Sequence, residues 1–427
     1  MNEILNNPAD SWDWETSSKK VTEIYEWTSR FPEVQELVAS PDGERIAAIV
    51  QDEDETFTVC VNDETWSATF EKVWSPKFSP DGALYVLGMN DDEWSVIEEG
   101  NSWEDSFEYV WNLMFNPNGK AVGVNVRDSD GYGASLNGMT WNEKFVQIRS
   151  LQISNDGQHS AGNVQMEPLS EGDIVTFKKG LWSLAIDGEP WEQRFLNVWG
   201  CSFSDDGSRV AAEVRLQSGK QTIAVDGICW KEEFKAVWDP VFIPGTHEVI
   251  APALTEKGWK LYVNGRPLWN NSFNQVWRQK FGPDGKRLAA VVSPEFGRWS
   301  IAIDGNMWKS TFGDVVLDPI FSSDSKHVAA AVKNQNRWTI AVDAVVWSQA
   351  FDMVWDPVFS PDATLVIAKT AIGQKYFLAL DGKPVLGPFD DMWDPIFNKN
   401  GDKILLRCVE EGRYFRKVVP VKDLFRK

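Results

Sequence analysis

The residues able to do chemistry are few in kind and scattered along the chain. His159, His247 and His327 each lie near the start of an apolar run in a different part of the sequence. That spacing predicts three separate, exposed histidines and no shared metal. Cys60, Cys201, Cys229 and Cys408 form no C-x-x-C pair, so no zinc site, c-type haem attachment or iron–sulfur cluster is expected. No G-x-S-x-G, Walker loop or H-E-x-x-H occurs. Carboxylates are plentiful, but they gather in hydrophilic stretches: Asp52-Glu53-Asp54-Glu55, Asp91-Asp92-Glu93, and Asp128 with Asp130. At loop tips such groups stay solvated with ordinary pKa values. Asp128-Ser129-Asp130-Gly131 matches part of a calcium loop but lacks the distal Glu. These residues predict no enzyme, no cofactor and no metal. Their chemistry is the presentation of charge to a partner.

The elements that carry these charges repeat. Phe recurs at 31, 70, 107, 145, 195, 234, 273, 312, 351 and 389, at intervals of 39, 37, 38, 50, 39, 39, 39, 39 and 38, with a weaker echo at Phe425. A period of this size marks a repeat architecture. Tryptophan keeps the same register. Trp27, Trp66, Trp103, Trp141, Trp191, Trp230, Trp269, Trp308 and Trp347 stand four residues before the Phe. Trp74, Trp111, Trp199, Trp238, Trp277, Trp355 and Trp393 open the next run, and Trp94, Trp182, Trp259, Trp299 and Trp338 open the third. Of 23 Trp only Trp12 and Trp14 fall outside these sets. One large flat side chain per position per unit predicts a packing device between neighbouring units.

The turns repeat as well. Pro-Asp-Gly or a relative recurs, as at Pro41-Asp42-Gly43, Pro80-Asp81-Gly82 and Pro283-Asp284-Gly285, and a second turn recurs as at Asp187-Gly188 and Asp304-Gly305. Gly supplies positive φ and Asp bonds its own backbone, so strands reverse tightly. Each unit reads as an antiparallel meander of three or four strands with no room for a helix. Ten such units predict an all-β fold, a β-propeller of about ten blades of about 39 residues. Two five-bladed rings are the alternative; the unbroken spacing across Phe195, Phe234 and Phe273 favours one. Residues 1–20 read as an N-terminal extension and 21–427 as the propeller. Val21 to Phe31 matches the tail of a unit, so N-terminal strands are expected to complete the last blade and remove free sheet edges.

The formal charge of −21 argues against a nucleic-acid partner. The N-terminus lacks the basic and apolar regions of a signal peptide, and no apolar run approaches a membrane span, so a cytoplasmic location is expected.

Breaks in a repeat are where function can be grafted. The 50-residue interval from Phe145 to Phe195 holds an insertion at about 165–180, expected as a long hairpin or loop between the second and third strands. Its charged residues Glu167, Glu171, Asp173, Lys178 and Lys179 make it a candidate docking finger. The same loop is acidic in the first three units, through Asp52, Glu53, Asp54, Glu55, Asp91, Asp92 and Glu93, whereas later units carry Lys220, Lys257, Arg298 and Arg337. A rim acidic in one sector and basic in another could orient a charged partner. The end, with Arg413, Arg416, Lys417, Lys422, Arg426 and Lys427, is basic and offers a second contact for an acidic partner or membrane surface.

Phe78-Ser79-Pro80-Asp81-Gly82 resembles the WD-like repeat of TolB-type propellers. Together with the length, the Trp content, and Trp238-Asp239-Pro240, Trp355-Asp356-Pro357 and Trp393-Asp394-Pro395, the chain resembles the tryptophan-rich subunit of the transmembrane Tmc redox complex of sulfate-reducing bacteria. That resemblance implies a cytoplasmic subunit, held at the inner membrane through a cytoplasmic iron–sulfur subunit and a membrane cytochrome b, beside a periplasmic multihaem cytochrome. It brings no catalytic residues. The expected role is a non-catalytic scaffold in electron transfer; the alternative is a stand-alone propeller taking a peptide or small ligand in its central channel.

Overall fold

The computed structural model describes residues 8–425. Among them the chain forms ten antiparallel sheets in sequence order. We number them as blades: 1 (33–65), 2 (72–102), 3 (109–140), 4 (147–190), 5 (197–229), 6 (241–267), 7 (275–307), 8 (315–346), 9 (353–389) and 10 (391–420). First strands of successive blades touch, as Glu33–Ala39 does with Lys72–Phe78 and Asn197–Phe203 with Val241–Phe242, which places the first strands at the hub. Contact continues unbroken from blade 5 to blade 6. Blade 10 in turn touches blade 1, so this is one ten-bladed β-propeller and not two smaller rings.

The second strand of each blade is buried on both faces, which explains its unalternating small-apolar runs. Ala47, Ala48, Ala211, Ala212, Ala289, Ala290 and Ala329 to Ala331 are all 0% exposed. The turn after the first strand is built by a buried Ser. In six blades its hydroxyl donates to the Asp two residues on at 2.5–2.7 Å, as from Ser40 to Asp42 and from Ser360 to Asp362, and accepts a backbone N–H at the start of the next strand. These bonds hold the carboxyls of Asp156 and Asp362 below their usual range. In the second turn an Asn, Asp or Glu side chain accepts the first N–H of the second strand, as Asn137 does from Val122 and Asp304 from Leu288.

The closing Phe bridges back to the start of the third strand of its own blade, as Phe70 does to Phe57 and Phe351 to Trp338. The Trp four residues earlier covers the second turn of the following blade. Trp66 lies over Gly100, Trp103 over Gly138, Trp191 over Gly227, Trp230 over Gly265, Trp269 over Gly305 and Trp347 over Gly382. Trp308 packs with Ala344 in the equivalent place. A Cβ on Gly382 would come within 2.9 Å of Trp347, so close approach, added to the turn's φ of +84°, keeps this position small.

Ring closure differs in detail from the sequence expectation. Strand Ser18–Thr22 pairs with Arg413–Pro420 and is the outermost strand of blade 10. The segment after it is a helix, α1 (Ile24–Arg30), not the tail of a strand unit, and Phe31 forms no bridge. A second helix, α2 (Ile174–Lys179), lies in the insertion. Both were unforeseen because a six- or seven-residue helix leaves almost no periodic signal. Trp27 of α1 nevertheless performs the task of its repeat position: it is 1% exposed and donates from Nε1 to Asp63, in the second turn of blade 1, at 2.6 Å.

The C-terminal cations also serve closure. Arg416 is fully buried and donates to Asp42 O at 2.8 Å, with Glu44 as its ion-pair partner. Arg407 donates to Ser40 O and Tyr414 to Gly43 O. Lys417 pairs with Glu410 and Arg413 with Glu411, so these groups are not free for a partner. Arg426 and Lys427 lie outside the described residues.

Trp27→Ala is expected to lower stability by about 3–5 kcal/mol, as for other buried Trp truncations, read as a lower urea midpoint. Trp27→Phe should retain most of the packing and lose the bond to Asp63. Equal midpoints for Trp27→Ala and the parent would show that closure does not depend on this residue.

Candidate functional site

Two regions present groups that the repeat does not require: the rim of the loops between second and third strands, and the hub. On the rim, Asp52 is a loop builder. Its carboxylate accepts from the Thr56 hydroxyl (2.7 Å) and from the N–H groups of Thr56 and Asp54, bonds that lower its pKa. Glu53, Asp54 and Glu55 are exposed. Asp91 and Asp92 occupy the two positive-φ positions of a tight turn, with side chains in solvent, while Glu93 accepts from Ser106. The expected basic sector is largely consumed within its own blades. Arg337 pairs with Asp352 at 2.6 Å, Lys220 approaches Glu233 at 4.0 Å, and Arg298 donates to Thr311.

The insertion combines structural and free groups. Asp173 caps α2, accepting from Thr176 N at 3.0 Å, and its pKa is lowered chiefly by the Thr176 hydroxyl. Glu167 is paired with Arg194. Glu171, Lys178 and Lys179 are exposed. Sequence reading missed the apolar side of this element: Leu169, Ile174, Val175 and Phe177 are exposed by 46, 63, 68 and 39%. Gln217 of blade 5 bonds the carbonyls of Lys179 and Arg194 and so ties the insertion down.

The histidines are half exposed and each faces an aspartate: His159 on Asp187, His247 on Asp206 and His327 on Asp343, at 2.6, 3.1 and 2.6 Å. Among the described residues no group of three or more His, Cys, Asp or Glu could hold a metal ion.

At the hub, the first strand of each blade carries an aromatic or its substitute followed by an irregularity. Trp74 stacks on Trp94 at 4.3 Å, Trp238 on Trp259 at 5.4 Å and Trp277 on Trp299 at 4.6 Å, while Trp111 meets Tyr132 edge-on and Trp355 tilts on Tyr376. The residue after the aromatic either bulges, with positive φ at Ser75, Asn112 and Arg278, or is the Asp of Asp-Pro, as at Asp239, Asp318, Asp356 and Asp394. Proline removes a ladder N–H there and divides the strand, as in blades 8, 9 and 10.

In blade 5 the corresponding residue is Gly200, and Asp239 of blade 6 lies so close that a Cβ at position 200 would overlap its Oδ1. The ladder runs from Val198–Val214 to Cys201–Ala212, so Glu213 stands opposite Trp199 and Gly200. Glu213 is 5% exposed, and among the described residues no hydrogen bond or cation acts on its carboxyl. Burial, and after it the charge of Asp239, pushes its carboxyl up to about 8. Burial also raises Asp239, and pushes the Cys201 thiol up to about 12. Asp239 additionally lines a cleft of about 480 Å³ with Trp238, Trp277, Arg278 and Asp318. Burial raises Asp356 too, followed by the charges of Asp318 and Asp394.

No protein-family model matches the chain. No curated protein matches it either. Among solved structures it is similar to one described as the crystal structure of the eukaryotic initiation factor, at 13% identity and TM-score 0.46 over 86% of this chain and 97% of that one. It is also similar to the Dos1 propeller, at 9% identity and TM-score 0.37 over 94% of each chain. At such identities and scores neither likeness bears on function. The propeller stands on the ten sheets themselves.

The raised Glu213 has a consequence for stability. Unfolded, the group ionises near its usual 4.5; folded, near about 8. Its contribution is therefore fully present below pH 4.5 and is lost as pH rises through the folded value. Glu213→Gln should melt several degrees above the parent at pH 9, with the gap closing towards pH 5. A gap independent of pH would contradict the buried, protonated carboxyl.

Proposed function

We propose that the chain is a non-catalytic interaction subunit, a propeller scaffold of a membrane-associated electron-transfer complex on its cytoplasmic side. The observation that carries the interaction role is the insertion in blade 4. Its neighbours in the ring join second and third strands by short turns, whereas this blade spends a capped helix on exposing Ile174, Val175 and Phe177. Apolar side chains gathered on a tethered projection favour a protein partner. Lys178 and Lys179 suit a partner groove whose rim is acidic. The redox setting comes from the resemblance of the Trp-Asp-Pro and Trp-rich repeats to the Tmc subunit. It supplies the expected partners, a cytoplasmic iron–sulfur subunit and a membrane cytochrome b. No helix among the described residues is long and apolar enough to cross a membrane, so attachment in this reading runs through the partners.

Gentle solubilisation of membranes and capture of the tagged chain tests both parts. The parent is expected to bring down a cytochrome b and an iron–sulfur protein. Ile174→Asp combined with Val175→Asp should lose them with an unchanged melting temperature, because both side chains already face solvent. Capture of the chain alone would overturn the complex, and retention of partners by the double variant would move the contact away from the insertion.

A further inference from the structure

We propose that the hub of blades 5 to 7 holds a binding site for an organic cation, a guanidinium or alkylammonium group, with Asp239 as its anionic partner. Three features built into this one sector support it. The first is the room made for Asp239. Gly200 is the one glycine at its position among the ten blades, and the Asp239 carboxylate occupies the space its side chain would fill. The second is Glu213, a nine-tenths-buried carboxyl without a donor or counter-ion, facing the same spot from the second strand of blade 5. A packed sheet interior gains nothing from an unpartnered acid, since an apolar residue there would avoid the desolvation. The matching position is apolar in blades 1, 7 and 8, with Ile49, Val291 and Ala331. Where it is polar, at Asn125, Asn163, Lys369 and Arg407 in blades 3, 4, 9 and 10, the side chain has a partner in the Asn112 amide, the Trp199 carbonyl, the Trp355 and Tyr376 rings, or the Ser40 and Asp394 carbonyls. The third is the aromatic wall. Asp239 lines the cleft beside Trp238, itself 41% exposed, and Trp277.

A carboxylate beside two indoles in one cleft suits a delocalised or alkylated cation. It does not suit a hard metal ion, which needs several oxygen ligands, and no trio of candidate ligands occurs among the described residues. Arg278 is the one cation lining the cleft and is committed to Asp318. The charged and titratable groups facing Glu213 are Asp239 from blade 6 and the neutral thiol of Cys201 from its own blade. The third strand, Gln221–Val225, brings none, and blade 4 contributes the amide of Asn163, which donates to Trp199 O at 2.5 Å. A cation arriving on Asp239 therefore meets a protonated Glu213. The Glu213 O–H bond breaks, the proton passes to solvent, and the carboxylate left behind strengthens the site.

The test is calorimetric titration of the full chain with agmatine and, separately, with the acetylated and amidated tripeptide Gly-Arg-Gly, in buffers of different ionisation enthalpy. Saturable binding of either is expected, with release of up to about one proton per site at pH 7 and little above pH 9. Agmatine binding without the peptide would identify a free amine as the ligand; peptide binding would identify a protein side chain. Asp239→Asn should weaken binding by about tenfold or more. Gly200→Ala should weaken it by displacing the Asp239 carboxylate, with melting temperature as the control for folding. Glu213→Gln should still bind and release no proton. The proposal is overturned by no saturable binding of either probe, by binding indifferent to both Asp239→Asn and Gly200→Ala, or by Mg²⁺ or Ca²⁺ competing at the same site in their place.

Discussion

The contact on which the ring depends is that between a Trp at the outer end of one blade and the tight second turn of the next. A propeller blade is a four-stranded sheet that cannot bury both faces alone, so each must be fixed at a set angle to its neighbour. A flat indole laid on a small-residue turn fixes that angle through shape, most tightly at Gly382, where a Cβ would meet Trp347 at 2.9 Å. Repeated around the circle, small errors in this angle would accumulate and leave the ring open. The last interface cannot be a copy of the others, since the two ends of the chain must meet there. It is accordingly held by directional polar bonds. Trp27 reaches Asp63 from a helix, and Arg407, Tyr414 and Arg416 insert into the first turn of blade 1, where directional hydrogen bonds to carbonyls set the register that a covalent connection sets elsewhere.

The hub is under a different constraint. First strands converge there, and each is interrupted by a bulge or by Asp-Pro immediately after its aromatic residue or the substitute for it. An interruption frees that residue from the ladder, so its type is not dictated by pairing. This is why the position varies from Glu36 through Ser75, Asn112 and Gly200 to Arg278 and a series of aspartates, while the residue before it is Trp in seven blades and is replaced only by Gln35, Arg149 and Leu317. The more regular part of each repeat builds the wall, and the variable part writes its chemistry.

That division explains what could be read from the sequence. Blade count and the single ring were legible because Phe70, Phe107 and their successors mark blade ends at near-constant spacing, and because the Ser-Pro-Asp-Gly turns use local hydrogen bonds that residue types announce. The site of the insertion was legible as a break in that spacing. Its helix was not, since Asp173 is the one conventional start signal in a six-residue element. The meeting of Glu213 with Asp239 was also hidden. It joins a second strand to the first strand of the next blade, a relation no motif encodes, although the lone glycine at position 200 in the aligned repeats was a visible trace of it. The terminal cations misled for a related reason: Arg416 reads as a solvated charge until closure buries it against Glu44.

The location of the unpartnered carboxyl has a physical logic of its own. A ring of ten blades spreads its stability over ten similar interfaces, so one of them can carry an unfavourable group without loss of the fold. Glu213 lies in the second strand of blade 5, remote from the closure, where the other residues of 210–214 and residues 223–225 of the third strand are buried and apolar. A destabilising group tolerated at a mid-ring hub position, beside the one glycine that admits a second carboxylate, is placed where a ligand can relieve it and where its relief does not disturb the seam that holds the ring shut.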